Sequence, residues 1–427
     1  MLVKPTLLSL AASLLQWAAI AEPQLTIESG ALRMSGVTSP SICRLETSAN
    51  LENGWDWVQS FFSSGEPLSN PINFGGQQQF FRLRVDPAPA TAEGFANLIA
   101  NYGILDTIAG TGLGQTDGVS FWDSSVEGQS GKFASLSRPH YAQADLAGNV
   151  YIFDKNSHSV LKVAPDGSIH TFAGTHEAGF NGDGPAPATS LRLNEPNGGW
   201  VKSDGTVYVQ DTENGKIRKI KDGVMTTLFN TANDGSPTPG GRGLWVNDDE
   251  TLAYFCAGTR LRRWTPSDGV KNVATGFDEL GTLYVEANGD ILVCDRVANY
   301  AYRVSPNGSK TIIAGNGSTS GGGDGFPATE TGLAGVRSIW PMPIGGYLLL
   351  THDGCQLWHM NAAGVIRLFV NGDRGRTHTG DGQYFYSPEP KISEGRSVTM
   401  DYEGNILVTE SDWGYVRKIF FQPMPAN

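Results

Sequence analysis

Six positions, recurring along the chain at near-regular intervals, set the chemistry this sequence can offer. Aligned on Gly148, Gly205, Gly289, Gly345 and Gly404, with a further unit placed by its own strand pattern, they read His140, Asn197, Arg242, Gly281, Arg337 and Arg396. If the units stand in a circle, three guanidinium groups and an imidazole gather at one mouth. Two like charges ~8 Å apart at an effective dielectric of ~20 repel by about 2 kcal/mol. Such a ring needs compensation. Nearby acids could supply it as an internal ion-pair network, or an anionic ligand, such as a carboxylate or a sulfated or uronic sugar, could sit on bidentate Arg contacts.

A second periodic set is acidic. Asp154, Asp211, Asp295 and Glu410 end apolar strands, with Ala257 and His352 at the corresponding place in two other units. Repetition marks them as structural turn acids, accepting hydrogen bonds from the backbone amides of the following loop; they are also the nearest source of compensating charge. Asp-Gly pairs recur at Asp117, Asp183, Asp234, Asp324 and Asp381, but no D-x-D-x-D-G run accompanies them, and tight turns explain the glycines. His140, His158, His176, His352 and His378 fall near loops without H-x-H or H-x₃-H spacing. Nucleophile-elbow, His-Glu-x-x-His and phosphate-loop motifs are missing. The sequence therefore assigns no catalytic residue, no metal and no cofactor.

The elements that must position these residues are short strands. Second strands of the unit read Asn149-Val-Tyr-Ile-Phe-Asp154, Thr206-Val-Tyr-Val-Gln-Asp211, Leu252-Ala-Tyr-Phe-Cys-Ala257, Asp290-Ile-Leu-Val-Cys-Asp295, Tyr347-Leu-Leu-Leu-Thr-His352 and Asn405-Ile-Leu-Val-Thr-Glu410. Third strands such as Ile217-Arg-Lys-Ile220 and Val416-Arg-Lys-Ile419 follow at a near-fixed offset, and fourth strands follow Asp-Gly, Asn-Gly or Ala-Gly turns. The last unit lacks a fourth strand, whereas Ile104-Leu-Asp-Thr-Ile-Ala-Gly110 matches one and has no unit before it. A ring in which this strand completes the last unit leaves no open edge. The fold expected is all-β: a six-bladed β-propeller closed by an N-terminal strand and preceded by a small β-sandwich. With 54 Gly, 23 Pro, 39% hydrophobic and only 17% charged residues in 427, the composition suits many strands and turns.

The Ile-Arg-Lys-Ile strands, the Ala-Gly-Thr strand endings and the loop Gly182-Asp183-Gly184-Pro185-Ala186 resemble bacterial NHL-repeat propellers over about residues 104 to 419. That resemblance implies function on the face bearing the long fourth-to-first loops. Six-bladed relatives of the gluconolactonase-like and peptide-amidating lyase families hold a metal in the channel, so a metal-dependent hydrolase or lyase is one alternative. Arginine at the aligned channel positions would repel a divalent cation, which favours a binding protein.

Upstream, Lys4, the apolar stretch Leu7 to Ala19 and Ala19-Ile20-Ala21 read as a signal peptide over 1–21, implying a secreted or periplasmic, envelope-associated protein. Residues 22–88 read as the sandwich, with Arg44-Leu-Glu-Thr-Ser and Phe80-Phe-Arg-Leu resembling small fibronectin-like modules; 89–103 read as a linker and 104–421 as the propeller. Cys43, Cys256, Cys294 and Cys355 are expected as free, packed thiols, since Cys256 and Cys294 occupy the same place in successive units. A formal charge of −12 argues against nucleic acid as a partner, and no later segment is a membrane span. The partner expected is a protein or an anionic small molecule or saccharide. A structural envelope role is the other alternative.

Overall fold

The computed structural model describes residues 23–28, 31–37, 39–49, 54–63, 68–71, 80–87, 92–113, 116, 118–232, 241–372 and 377–424. The expected signal peptide, Asp117 and Asp234 lie outside them.

Antiparallel sheets of four or five strands follow one another along the chain. Their first strands are Pro139–Ala144, Pro196–Val201, Leu244–Val246, Leu280–Val285, Val336–Pro341 and Gly395–Met400. Each of these inner strands touches the inner strand of the next sheet, and Gly395–Met400 touches Pro139–Ala144, so the sheets stand in a closed circle around an axis. The molecule is a β-propeller. Second strands are sandwiched between neighbouring sheets, and Val150–Asp154, Val207–Asp211, Ile291–Asp295 and Ile406–Glu410 are buried at every residue. Burial on both faces is why they read as continuous apolar runs instead of alternating ones. Phe153 of the first sheet packs against Val209 and Ile220 of the second, and comparable clusters fill the other gaps.

Ile104–Ala109 completes the last sheet by pairing with Tyr415–Ile419. Its register is that of a fourth strand. Val416 faces Ala109 and Arg417 faces Thr107, with the same one-residue bulge that separates Val160↔Ala173 from Leu161↔Thr171 in the first sheet. Arg417 is fully buried there, paired with Asp381 at 2.7 Å and Glu410 at 3.4 Å, while Thr107 donates to Asp381 at 2.7 Å. The loop acids Asp183 and Asp324 serve similarly. Asp183 accepts from Thr227, and Asp324 from Arg367 and the Leu368 amide, tying long loops to fourth strands.

The N-terminal region forms two three-stranded antiparallel sheets, one from Gln24–Glu28, Ala31–Ser35 and Leu68–Pro71, the other from Ser41–Ser48, Asp56–Ser63 and Phe80–Pro87. The expected linker needs correction: within 89–103 lies the helix Ala92–Ile99. Phe95, Leu98 and Ile99, spaced i, i+3, i+4, give it an apolar face that enters a core with Ile42, Tyr102, Leu105 and Phe421. Arg44 donates to the Ala100 carbonyl at 3.0 Å and to Asn101, and Phe62 stacks on Phe421 at 4.4 Å. Gly404 lies under that stack, where a Cβ would meet Phe421 at 2.7 Å and Phe62 at 2.9 Å. All four cysteines are buried and free.

Candidate functional site

Five of the inner strands have a β-bulge at their start, and Leu244–Val246 pairs with Ala253–Ala257 without one. Pro139 pairs with Asp154 and Tyr141 with Phe153, leaving His140 as the extra residue; Asn197, Arg337 and Arg396 are the extra residues of their own strands. A bulge frees one side chain from the pleat and re-aims it. The same step lies between Leu280 and Leu283, which takes in Gly281, and Arg242 stands two residues ahead of Leu244. Gly281 is where the next strand passes closely, since a Cβ there would lie 2.0 Å from the Arg337 carbonyl oxygen.

The side chains meet. His140 hydrogen-bonds through Nδ1 to Asn197, and burial, followed by the charges of Arg396, Arg242 and Arg337, drives its pKa well below the ordinary value. Arg337 is likewise pushed well down by burial and then by Arg396 and Arg242. Arg396 falls to about 9, through burial first and then Arg242, Arg138 and Arg296. His352 is lowered by burial and by Arg396, Arg337 and Arg296. Burial is the first cause at each of these bases, with the neighbouring guanidinium charges adding to it, whereas Arg296 is raised by its hydrogen bonds to Glu279 and by Asp353.

Carboxylates answer part of that charge. Glu279 is the hub, accepting from Arg242 at 2.7 Å, Arg296 at 2.8 Å and Arg337 at 3.2 Å. Asp353 takes Arg296 at 3.2 Å, and Asp412 takes Arg396 at 3.2 Å and approaches Arg138 at 3.7 Å. The Nε atoms of Arg242, Arg337 and Arg396, donors, and Nε2 of His140, an acceptor in the neutral ring, are buried with no hydrogen-bond partner among the described residues. Such groups are costly to leave unpaired.

The sequence pointed to the strand-end acids as compensation; the structure uses others. Asp154 accepts from the Ser137 amide, Asp211 from Asn194, Asp295 from Asp278 and Glu279, and Glu410 from Ser393. These amides lie ahead of the inner strand, so the acids brace the incoming connection; of the following loop's amides, only Ala298 reaches an acid, Asp295, at 3.4 Å. Burial raises Asp154 to about 7 and Asp211 to about 6. In the fifth sheet the residue facing the start of the inner strand is Thr351, not His352. His352 lies one residue on, 3.9 Å from Asp353.

Sequence reasoning missed Arg138, Glu279, Arg296, Asp353 and Asp412. They flank the periodic positions by one or two residues, and a search of each unit's neighbouring columns would have found them. The remaining histidines disperse: His158 accepts from the Glu195 amide, His176 stacks on Trp122, and His378 lies between Glu410 and Asp381. Among the described residues no group of three His, Cys, Asp or Glu side chains is placed to hold a metal ion.

Three places inward along the strands the chemistry changes. The positions three residues after Asn197, Arg242, Gly281 and Arg337 carry Trp200, Trp245, Tyr284 and Trp340. Trp200 lies 6.3 Å from Trp340, between sheets that stand opposite each other in the circle, and 6.0 Å from Tyr284 and 6.5 Å from Trp245. These rings plug the axis below the charged mouth.

Neither a protein-family model nor a curated protein matches this chain. Solved structures do. A Bacteroides thetaiotaomicron protein of unknown function is 13% identical, with a TM-score of 0.58 over 92% of this chain and 97% of that one. An auxiliary nutrient binding protein from the same organism is 11% identical, with a TM-score of 0.55 over 91% and 94% of the two chains. Another from Bacteroides ovatus is 12% identical, with the same score and coverage. At these identities the likeness is one of fold, and what this chain shares with those structures is an all-β propeller architecture.

Proposed function

We propose that this chain is an exported binding protein, a six-bladed propeller of the NHL-repeat kind, whose arginine-lined mouth holds an anionic ligand: a carboxylate or sulfate group, as on a uronic or sulfated sugar. The observation that carries this reading is the set of buried donors without partners among the described residues, Nε of Arg242, Arg337 and Arg396. Arg242, Arg296, Arg337 and Arg396 share Glu279, Asp353 and Asp412 within 4 Å, and Glu394 lies 3.8 Å from His352. An oxyanion satisfies these donors, since it accepts from several guanidinium N–H groups at once. That two structures of like fold are named auxiliary nutrient binding proteins accords with a binding role.

The test is calorimetric titration with sulfate, glucuronate and a sulfated disaccharide against their uncharged counterparts. Binding is expected only for the anions, weakening with salt, and Arg242→Gln is expected to weaken it about tenfold, the equivalent of 1.4 kcal/mol. Equal affinity for charged and uncharged forms, or an unchanged affinity in Arg242→Gln, sinks the reading.

A further inference from the structure

At the far end of the inner strands, on the other side of the aromatic plug, lies a cavity of about 1110 Å³. Its floor is the plug: Trp200, Tyr284 and Trp340 present ring surface to it. One wall is the N-terminal region, through Phe61 and Phe62 of the strand Asp56–Ser63, and Tyr402 stands at its edge, 55% exposed. The volume lies just above the usual range of small-molecule sites, about 300–1,000 Å³.

The rings are held in tilted and edge-to-face contact. Tyr284 meets Trp340 at 5.1 Å and 71°, and Trp200 meets Tyr284 at 69°. Rings locked edge-on to one another cannot stack closed, so aromatic surface is left facing the cavity. Around this surface the lysines are paired. Lys202 lies 3.8 Å from Asp248, Lys221 3.3 Å from Asp204 and Lys418 2.9 Å from Asp401. Glu403, also lining the cavity, accepts from Asn405 at 3.2 Å, so the rim offers hydrogen-bonding groups of both signs with one carboxylate more than lysines. Asp248 and Asp204, with side chains 100% and 52% exposed, have free lone pairs for hydroxyl donors.

We infer that this cavity is a second binding site, formed jointly by the N-terminal sheets and the aromatic ends of the inner strands, and that its ligand is a neutral oligosaccharide. A pyranose has an apolar C–H face and hydroxyls around its edge. That pattern matches a floor of indole and phenol rings bordered by carboxylates and lysines. A cation would call for several unpaired carboxylates at the floor, and an anion for unpaired lysines; the floor is aromatic, and the rim pairs its lysines and leaves only Glu403 without an ion-pair partner among the described residues. The site is independent of the arginine mouth, because the plug lies between the two.

Full-length protein is titrated with cellohexaose, xylohexaose, maltohexaose, laminarihexaose and mannohexaose, following tryptophan fluorescence and heat. At about 5 mM sugar even a ligand with a Kd near 1 mM registers. At least one hexaose is expected to bind, with an affinity indifferent to an approximately tenfold rise in NaCl. Trp340→Ala is expected to weaken it about tenfold or more, as loss of a central aromatic anchor does, and the exposed-edge variant Tyr402→Ala about threefold. Tyr402→Ala keeps the test decisive if Trp340→Ala does not fold. Failure of all five sugars to bind, binding that both variants retain, or binding abolished by salt would each overturn the inference.

Discussion

Replacing Glu279 by Gln removes the charge that three guanidinium groups share at 2.7, 2.8 and 3.2 Å, and puts an amide donor where one of them sought an acceptor. A unit pair at ~4 Å with an effective dielectric of ~20 is worth about 4 kcal/mol before desolvation. Leaving a buried partner uncompensated costs about 3–5 kcal/mol. Glu279 is 24% exposed, and Gln keeps some of the hydrogen bonding, so the loss expected is about 2–3 kcal/mol. With a urea m-value of about 3 kcal/mol/M, the unfolding midpoint falls by about 0.7–1 M. Sulfate supplies the second half of the test. It stabilises any protein by exclusion from the surface, so the wild-type gain is the baseline. Glu279→Gln should gain more than that baseline, since a bound anion replaces the missing carboxylate. A midpoint shift below about 0.2 M, or a sulfate response no larger than that of the wild type, would refute the charge argument for this mouth.

Two further outcomes are expected. Asp154, raised by burial to about 7 in the folded state against an ordinary 3.8, stays protonated there while the unfolded chain ionises, so its contribution to stability declines as pH rises from about 4 to about 7. Asp154→Asn, which keeps an acceptor for the Ser137 amide, should flatten that part of a urea-midpoint profile; an unaltered slope would assign it to other groups. All four thiols are buried, with burial pushing Cys43 and Cys256 up to about 12, so none should react with a thiol reagent until denaturant is added, when four should appear.

Recurrence made the fold legible. A strand such as Ile104–Ala109 can be assigned to a sheet more than three hundred residues away because its ending matches those of other fourth strands, which no local propensity would reveal. The bulge residues His140, Asn197, Arg337 and Arg396 were found for the same reason: the glycine of each turn keeps their offset. Errors arose where the repeat is degenerate. Tyr347-Leu-Leu-Leu begins without a polar residue, so its boundary slid by one and placed His352 where Thr351 stands. The helix Ala92–Ile99 was hidden by the Pro- and Ala-rich stretch ahead of it, although Phe95, Leu98 and Ile99 carry its period. Glu279 and Asp412 escaped because each lies two residues outside the aligned columns and reaches a guanidinium of a neighbouring unit, Arg242 and Arg337 for Glu279 and Arg138 for Asp412.

Closure by an early strand also sets a clock. Ile104–Ala109 emerges about 300 residues before its partner Tyr415–Ile419, which at ~5–20 residues per second is a wait of about 15–60 s. Through that interval it is an unpaired edge that any passing strand could capture. The chain has a temporary berth for it nearby: Gly110 donates to the Gly131 carbonyl, Gly131 to that of Gly167, and Lys132 pairs with Asp106 at 2.7 Å, all within reach once the first sheet is made. The first sheet can thus chaperone the strand that finishes the last one, and weakening that berth should show as aggregation during synthesis and not as a loss of equilibrium stability.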